Sequence, residues 1–254
     1  RRKNMIKLEN VTKKYGDLTV FNNFSLEFKT DEVTAVLGAS GVGKTTILNL
    51  LAGITDYSAG KVYTENAVSY VFQSPNLVEN LSVYKNAEMV LKSVYRDKEK
   101  RKKIICDLLK AADVFDKKDS PVFSLSGGQK QRAGIVRAFC YPSKLMLMDE
   151  PFSSLDISLK VRLIDLYAHL LRENPRTVIF VSHSESEAVA LADRIIVLGN
   201  NEIEADFYVD DLSENNEANG ENFKAKTKCA KPRDESSENS VSARKKILNC
   251  FKNL

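Results

Sequence analysis

Gly38-Ala39-Ser40-Gly41-Val42-Gly43-Lys44-Thr45 is the stretch that decides how this chain folds. It follows the apolar run Val33-Thr34-Ala35-Val36-Leu37 and leads into a helical stretch, Thr45 to Ala52, which Gly53 ends. The octapeptide fits G-x-x-x-x-G-K-[ST], and a strand before it with a helix after it is the context the motif requires. The glycines let the backbone curl so that several N–H groups point inward at phosphate oxygens, and the helix adds its partial positive end. Lys44 can then reach the β- and γ-phosphates of a nucleotide, while the Thr45 hydroxyl can ligate Mg²⁺.

Working outward, Ile6–Val11 and Phe24–Phe28 alternate as half-buried strands do, and short strands are expected at Lys61–Thr64 and Val68–Phe72. From Ser82 to Ala112 the pattern turns helical, with lysines outside and Ile105, Leu108 and Leu109 inside. This segment reads as a helical subdomain inserted in an α/β core. The core resumes with the strand Leu145–Met148 and a helix whose Leu159, Leu163, Leu166, Tyr167 and Leu170 share one face. Asn174-Pro175 stops that helix. Thr177–Val181 is another buried strand, Glu185–Ala192 a helix and Arg194–Leu198 a strand. Strands alternating with helices argue for a parallel sheet covered on both faces.

A triphosphate site also needs a carboxylate near its metal. The run Leu145-Met146-Leu147-Met148-Asp149-Glu150 supplies one at a strand end, with Asp149 placed for Mg²⁺ and Glu150 placed to polarise an attacking water. A second anion site is suggested by Leu125-Ser126-Gly127-Gly128-Gln129, where a serine and two glycines precede the helix Gln129 to Phe139.

That pentapeptide, extended by Lys130-Gln131-Arg132, resembles the signature of the ABC transporter family. The resemblance covers about Ile6 to Val209, with the family's motifs in the family's order. It implies an α/β fold: a P-loop NTPase core with a mainly parallel sheet, an N-terminal antiparallel β part and a helical subdomain at about 74–140, all within an ATP-binding domain at 5–212. It implies ATP as the nucleotide and Mg²⁺ as the metal, and hence an ATPase. By resemblance, Tyr15 stacks on adenine, and Gly38, Ala39, Ser40, Gly41, Val42, Gly43, Lys44, Thr45 and Thr46 hold the phosphates. Ser126, Gly127, Gly128 and Gln129 form the signature that meets a nucleotide. Asp156, in Ser154-Leu155-Asp156, belongs to a loop crossing between two nucleotide sites. Gln73 senses magnesium and water and joins the metal set Thr45, Gln73 and Asp149. The catalytic set is Glu150, His183, Gln73 and Lys44, with His183 contacting the γ-phosphate. His169, mid-helix, matches nothing and reads as surface or packing.

Composition narrows the class. The 254 residues carry a net charge of +4, weaker and less localised than nucleic-acid binding would require, so no nucleic-acid partner is expected. The dense run Lys98-Glu99-Lys100-Arg101-Lys102-Lys103 reads as a solvated helix face. The four cysteines form no CxxC pair or metal-ligand spacing and suit reduced thiols. No stretch approaches the ~18 consecutive apolar residues of a spanning helix. Arg1-Arg2-Lys3-Asn4 has no apolar region behind it, so no secretory signal is expected, and Met5 is a candidate natural start.

Among ABC proteins, soluble translation factors resemble two fused cassettes, and repair ATPases split the cassette with a long coiled coil. The stretch Gln73 to Leu125 is too short for that and lacks sustained heptads. Transport is therefore the expectation, through separate membrane-spanning permease subunits. The chain would sit in the cytoplasm, peripheral on the inner face of the cell membrane, as a homodimer or paired with a second cassette. Phe152 after Pro151 looks like importer cassettes, and the compact link from Gly53 to Gln73 looks like the nitrate, sulfonate and taurine group. An importer implies an extracytoplasmic solute-binding protein. A cytosolic ABC ATPase and an exporter cassette remain as alternatives. Ser213 to Ala243 has few large apolar residues, so the tail at 213–254 is expected to be disordered. A short amphipathic helix carrying Ile247, Leu248, Phe251 and Leu254 is the alternative at its end.

Overall fold

The computed structural model describes residues 5–153 and 157–209. The expectations placed on Ser154-Leu155-Asp156, on the 213–254 tail and on its terminal helix lie outside the described residues.

Two sheets make the core. The smaller joins β1 (Ile6–Tyr15), β2 (Leu18–Phe28) and β4 (Ala59–Tyr63) in the antiparallel order β2-β1-β4. The larger contains β3 (Val33–Gly38), β5 (Val68–Val71), β6 (Leu145–Asp149), β7 (Thr177–Val181), β8 (Arg194–Leu198) and β9 (Ile203–Tyr208), ordered β5-β6-β7-β3-β8-β9. Its strands run parallel except β9, which pairs antiparallel with β8. The antiparallel N-terminal part and the mainly parallel sheet agree with the sequence reading. The strand β9 was not expected. Its burial is mixed, with Phe207 covered and Ile203 open, so it lacks the continuous apolar run that marks the central strands.

Those central strands are apolar on both faces because both faces are covered. Met146, Met148, Val178 and Phe180 point to one core, while Leu145, Leu147, Ile179 and Val181 point to the other. In the second core, α1 (Lys44–Leu51) lies between the two sheets, with Ile47, Leu48, Leu50 and Leu51 all buried against Leu8, Phe21 and Phe28. Each such aliphatic side chain contributes about 1.5–3 kcal/mol on burial. The helix that follows the phosphate loop is therefore fixed from two sides.

The other core holds α2 (Val83–Leu91), α3 (Lys98–Ala111), α4 (Gly127–Cys140), α5 (Ile157–Glu173) and α6 (Glu185–Leu191). The helical pattern read from Ser82 to Ala112 resolves into two helices, α2 and α3. Ser82 caps α2 by accepting from the Lys85 N–H, and the fully buried Asn86 side chain ties down the turn at Val78 and Ser82. Asp97 then caps α3 by accepting from the N–H groups of Glu99 and Lys100. The break is sealed by Arg101, whose guanidinium donates to the carbonyls of Tyr95 at 2.9 Å and Arg96 at 2.8 Å. This corrects the reading of the basic run: Arg101 is buried, and its neighbours Lys100, Lys102 and Lys103 are the solvated face. Buried residues of α2, α3 and α4 belong to the same cluster as one face of the large sheet, so the helical segment shares the core's packing. His169 is exposed, in keeping with its expected surface place.

Candidate functional site

The phosphate loop runs from the end of β3 to the first turn of α1. Gly43 has φ 104°, and a Cβ there would lie 2.6 Å from Phe21 and 2.8 Å from Val20. A side chain is excluded twice, by conformation and by space. The same contact sets the β1–β2 hairpin against the loop. At the hairpin's end Tyr15 is 46% exposed, with the Lys13 ammonium 4.2 Å from its ring centroid. Ala39, Ser40 and Gly41 face solvent, Val42 is half-buried, and Thr46 is buried one turn into α1.

Lys44 is 7% exposed and folds back into the loop, donating to the carbonyls of Gly38 at 2.9 Å and Ala39 at 2.8 Å. Burial lowers its pKa, and the charges of Glu150 and Asp149 oppose that shift. The Thr45 hydroxyl donates to the Asp149 carboxylate at 3.0 Å. Burial raises the Asp149 pKa and the Glu150 charge adds to it, against the Thr45 hydrogen bond and the Lys44 charge.

Glu150 has φ 43°, a left-handed conformation unusual for a residue with a side chain. Its N–H donates to Val181 O at 3.0 Å, and its carbonyl accepts from Ser153 N–H at 3.1 Å and Ser153 Oγ at 2.9 Å. Those bonds hold the turn against its strain. The carboxylate is thereby aimed between two strand ends, with Glu150 Oε2 3.4 Å from His183 Nδ1 and 3.5 Å from Gln73 Nε2. Lys44, Thr45, Asp149, Glu150, Gln73 and His183 thus gather at the C-terminal ends of β3, β5, β6 and β7, where parallel sheets carry their ligands.

Ser126, Gly127, Gly128 and Gln129 stand apart. Ser126 caps α4 in a reciprocal box, with Ser126 N–H donating to Gln129 Oε1 at 3.0 Å and Gln129 N–H to Ser126 Oγ at 3.4 Å. Gly128 lies so close to Leu159 that a Cβ would sit 2.7 Å from its Cδ2. No hydrogen bond or ion pair among the described residues joins this turn to the phosphate loop.

Sequence reasoning missed the residues that hold the site from behind. Gln131 donates to Pro151 O at 2.7 Å, and Arg137 donates to Asn76 O at 2.7 Å and Pro75 O at 2.9 Å. They tie α4 to the turns bearing Glu150 and Gln73. The available signal was a glutamine and an arginine among the apolar positions of α4, Ala133, Ile135, Val136 and Ala138.

Residues 21–153 match the family described as ABC transporter. The chain belongs to the ABC transporter family. It is 35% identical over 202 residues to the aliphatic sulfonates import ATP-binding protein of Granulibacter bethesdensis, covering 80% of this chain and 83% of that protein. It is 35% identical over 220 residues to the Fe(3+) ions import ATP-binding protein of Photobacterium profundum, covering 82% of this chain and 63% of that one. Several curated relatives are longer than the match, which spans 57–63% of their length. A dimeric ATP-binding cassette solved in a post-hydrolysis state with ADP and Pi superposes with a TM-score of 0.72 and 31% identity, over 80% of this chain and 98% of that one. The ABC cassette fold expected from the motifs is therefore the fold of this chain. No helix among the described residues is long and apolar enough to cross a membrane.

Magnesium can be tested against the donors present. Thr45 and Asp149 offer hard oxygens, and the two carboxylates Asp149 and Glu150 face one ammonium, Lys44. Mg²⁺ takes one or two carboxylates plus substrate phosphates, so the absence of a three-ligand cluster among the described residues is no obstacle. The residues fit the ion.

Proposed function

We propose that this cassette binds and hydrolyses ATP to drive solute import through separate membrane-spanning permease subunits. The observation that carries the hydrolytic reading is the convergence of Gln73 and His183 on one oxygen of Glu150, beside the Thr45–Asp149 pair. Two copies bind ATP head to tail. One copy supplies Lys44, Thr45, Gln73, Asp149, Glu150 and His183, and the other supplies Ser126 and Gly128.

Each residue's part follows from its position. Lys44 exchanges its two carbonyl partners for phosphate oxygens, and Tyr15 stacks on the base. Thr45, Asp149 and Gln73 would hold Mg²⁺, which would neutralise charge on the phosphates. Glu150 orients and polarises the attacking water, and His183 donates to the γ-phosphate. Closure is driven by ATP acting as an adhesive between two surfaces rich in N–H donors. Hydrolysis breaks that link and the dimer opens.

The groove bordered by Tyr70, Phe72, Asn76, Val90 and Arg137 opens beside the Gln73 loop and suits a short helix of a permease subunit. A partner seated there would feel movement of Gln73 directly. The cassette would then sit at the inner face of the cell membrane, with an extracytoplasmic protein delivering the solute. Relatives named as import ATP-binding proteins, one of them for sulfonates, support the import direction. The test is Mg-dependent ATP hydrolysis by the purified chain. A chain that hydrolyses ATP at the rate of its own Glu150→Gln variant would overturn this reading.

A further inference from the structure

His183 lies between two serines with different work. Ser182 is 1% exposed, and its backbone N–H donates to Val36 O at 3.3 Å. Ser184 caps α6, its hydroxyl accepting from the Glu187 N–H at 3.4 Å. The spacing Ser184-x-x-Glu187 is that of a reciprocal capping box, in which the glutamate would reach back to the serine's own N–H. Here that N–H donates instead to Ser182 Oγ at 2.9 Å. The Glu187 carboxylate turns inward and accepts from the Ser182 hydroxyl at 2.5 Å.

Glu187 is 2% exposed, so its charge needs more than one hydroxyl to be tolerated. The second partner is Lys160, whose ammonium is 2.7 Å from Glu187 Oε1. Lys160 lies in the first turn of α5, directly after residues 154–156, and that turn carries Ile157 at 83% and Val161 at 54% exposure. One chain of contacts therefore runs from the start of α5 through Glu187 and Ser182 to the backbone on both sides of His183. A purely structural ion pair would join any two helices. This one ends on Ser182 and Ser184, the two residues that flank His183 in the chain.

We propose that Glu187 is a positioning residue for His183, and that Lys160 makes the position of His183 depend on the first turn of α5. This rests on the hydrolytic reading above, in which His183 meets the γ-phosphate beside Glu150.

The test compares the full chain with its Glu187→Gln, Lys160→Met and Lys160→Arg variants in ATPase assays across ATP concentration. Glu187→Gln keeps an acceptor for Ser182 but removes the attraction to Lys160. Because a displaced catalytic group costs turnover and leaves substrate affinity intact, Glu187→Gln and Lys160→Met should lower kcat about tenfold or more with KM within about twofold. Lys160→Arg should restore at least about half of kcat, and the double variant should be no slower than the worse single one, since the two residues act as a unit. Variants that turn over like the parent would overturn the proposal. So would equal loss in Lys160→Met and Lys160→Arg, or losses of kcat that follow losses of melting temperature. If Glu187→Gln fails to fold, the Lys160 pair of variants decides alone. A parent chain with no ATPase activity would instead remove the hydrolytic reading, and this inference with it.

Discussion

The Thr45 hydroxyl donates a 3.0 Å hydrogen bond to Asp149, joining the first turn of α1 to the end of β6 across two distant segments of chain. That bond and the Lys44 charge favour the ionised carboxylate, against burial and the Glu150 charge. Burial and the Glu150 charge raise the Asp149 pKa, so the folded chain binds this proton more tightly than the unfolded chain does. Stability from this group is therefore full below the ordinary aspartate value of 3.8 and is lost as pH rises through the raised folded value. Asp149→Asn should accordingly raise the melting temperature at pH 7. The gain should shrink as pH is lowered toward the ordinary aspartate range. Thermal melts at several pH values without nucleotide check it, and a gain that grows on acidification would reverse the sign argued here. The same variant should lose Mg-dependent ATP hydrolysis, as expected where a site is strained for function.

Lys44→Ala and Glu150→Gln should separate binding from chemistry. Lys44 already holds two carbonyls in place of phosphate, and a hydrogen bond to a charged group contributes about 1.5–3 kcal/mol. Losing it should weaken ATP binding by about ten- to a hundredfold or more. Glu150→Gln keeps the shape at a turn with φ 43° and removes only the charge, so ATP should still bind. Turnover should fall by about 10²–10⁴. Titration calorimetry and single-turnover hydrolysis read the two effects. A Glu150→Gln chain that binds no ATP would remove Glu150 from its assigned role.

Much of the site was legible because its constraints are local. A glycine that must have φ 104° against Phe21 leaves a mark in the sequence, and so does a lysine at a helix start. Gln73, Glu150 and His183 could be named because each ends an apolar strand run that fits the family's order. What stayed hidden depends on partners far along the chain. Arg101 sits within a run of lysines and differs from them only in facing the carbonyls of Tyr95 and Arg96. Glu187 follows a capping pattern that the fold overrides, because Ser182 takes the N–H the pattern reserves for it. The β9 strand carries two acidic residues, Glu204 and Asp206, and one of them pairs with Arg194 across the sheet edge. Its alternation of Ile203, Ala205 and Phe207 with Glu204 and Asp206 is a half-buried strand pattern that the sequence reading passed over.

Arg137→Ala should loosen the Gln73 loop without touching nucleotide. The guanidinium donates to the carbonyls of Pro75 and Asn76, and Asn76 itself has φ 46°. Removing it leaves two carbonyls short of a donor, at a cost of about 1–3 kcal/mol in stability. ATP affinity should stay near the parent's, while kcat falls because Gln73 no longer stands beside Glu150. Steady-state kinetics with a melt as control would show it. An Arg137→Ala chain with parental kcat would mean that the loop is held by other contacts.

The separation of the Ser126 turn from the phosphate loop within one chain leads to the sharpest prediction. If Ser126 serves the nucleotide, it must do so on a second copy. Consider one protein carrying Lys44→Ala and another carrying Ser126→Arg, whose bulk and charge replace the small cap of α4. Each homodimer has two defective sites and should be inactive. In the mixed dimer, the intact Lys44 of the second protein faces the intact Ser126 of the first. One complete site is thus restored, and the other is doubly defective. Mixing should recover ATPase activity toward that of a dimer pairing the parent chain with Lys44→Ala, which shows whether one good site suffices for turnover. Because random pairing makes half of the dimers mixed, recovery should approach about half the activity of that reference at equal total protein, if one site turns over independently. An active reference beside a dead complementing mixture would mean that Lys44 and Ser126 do not meet across two copies. The head-to-tail mechanism would then have to be abandoned.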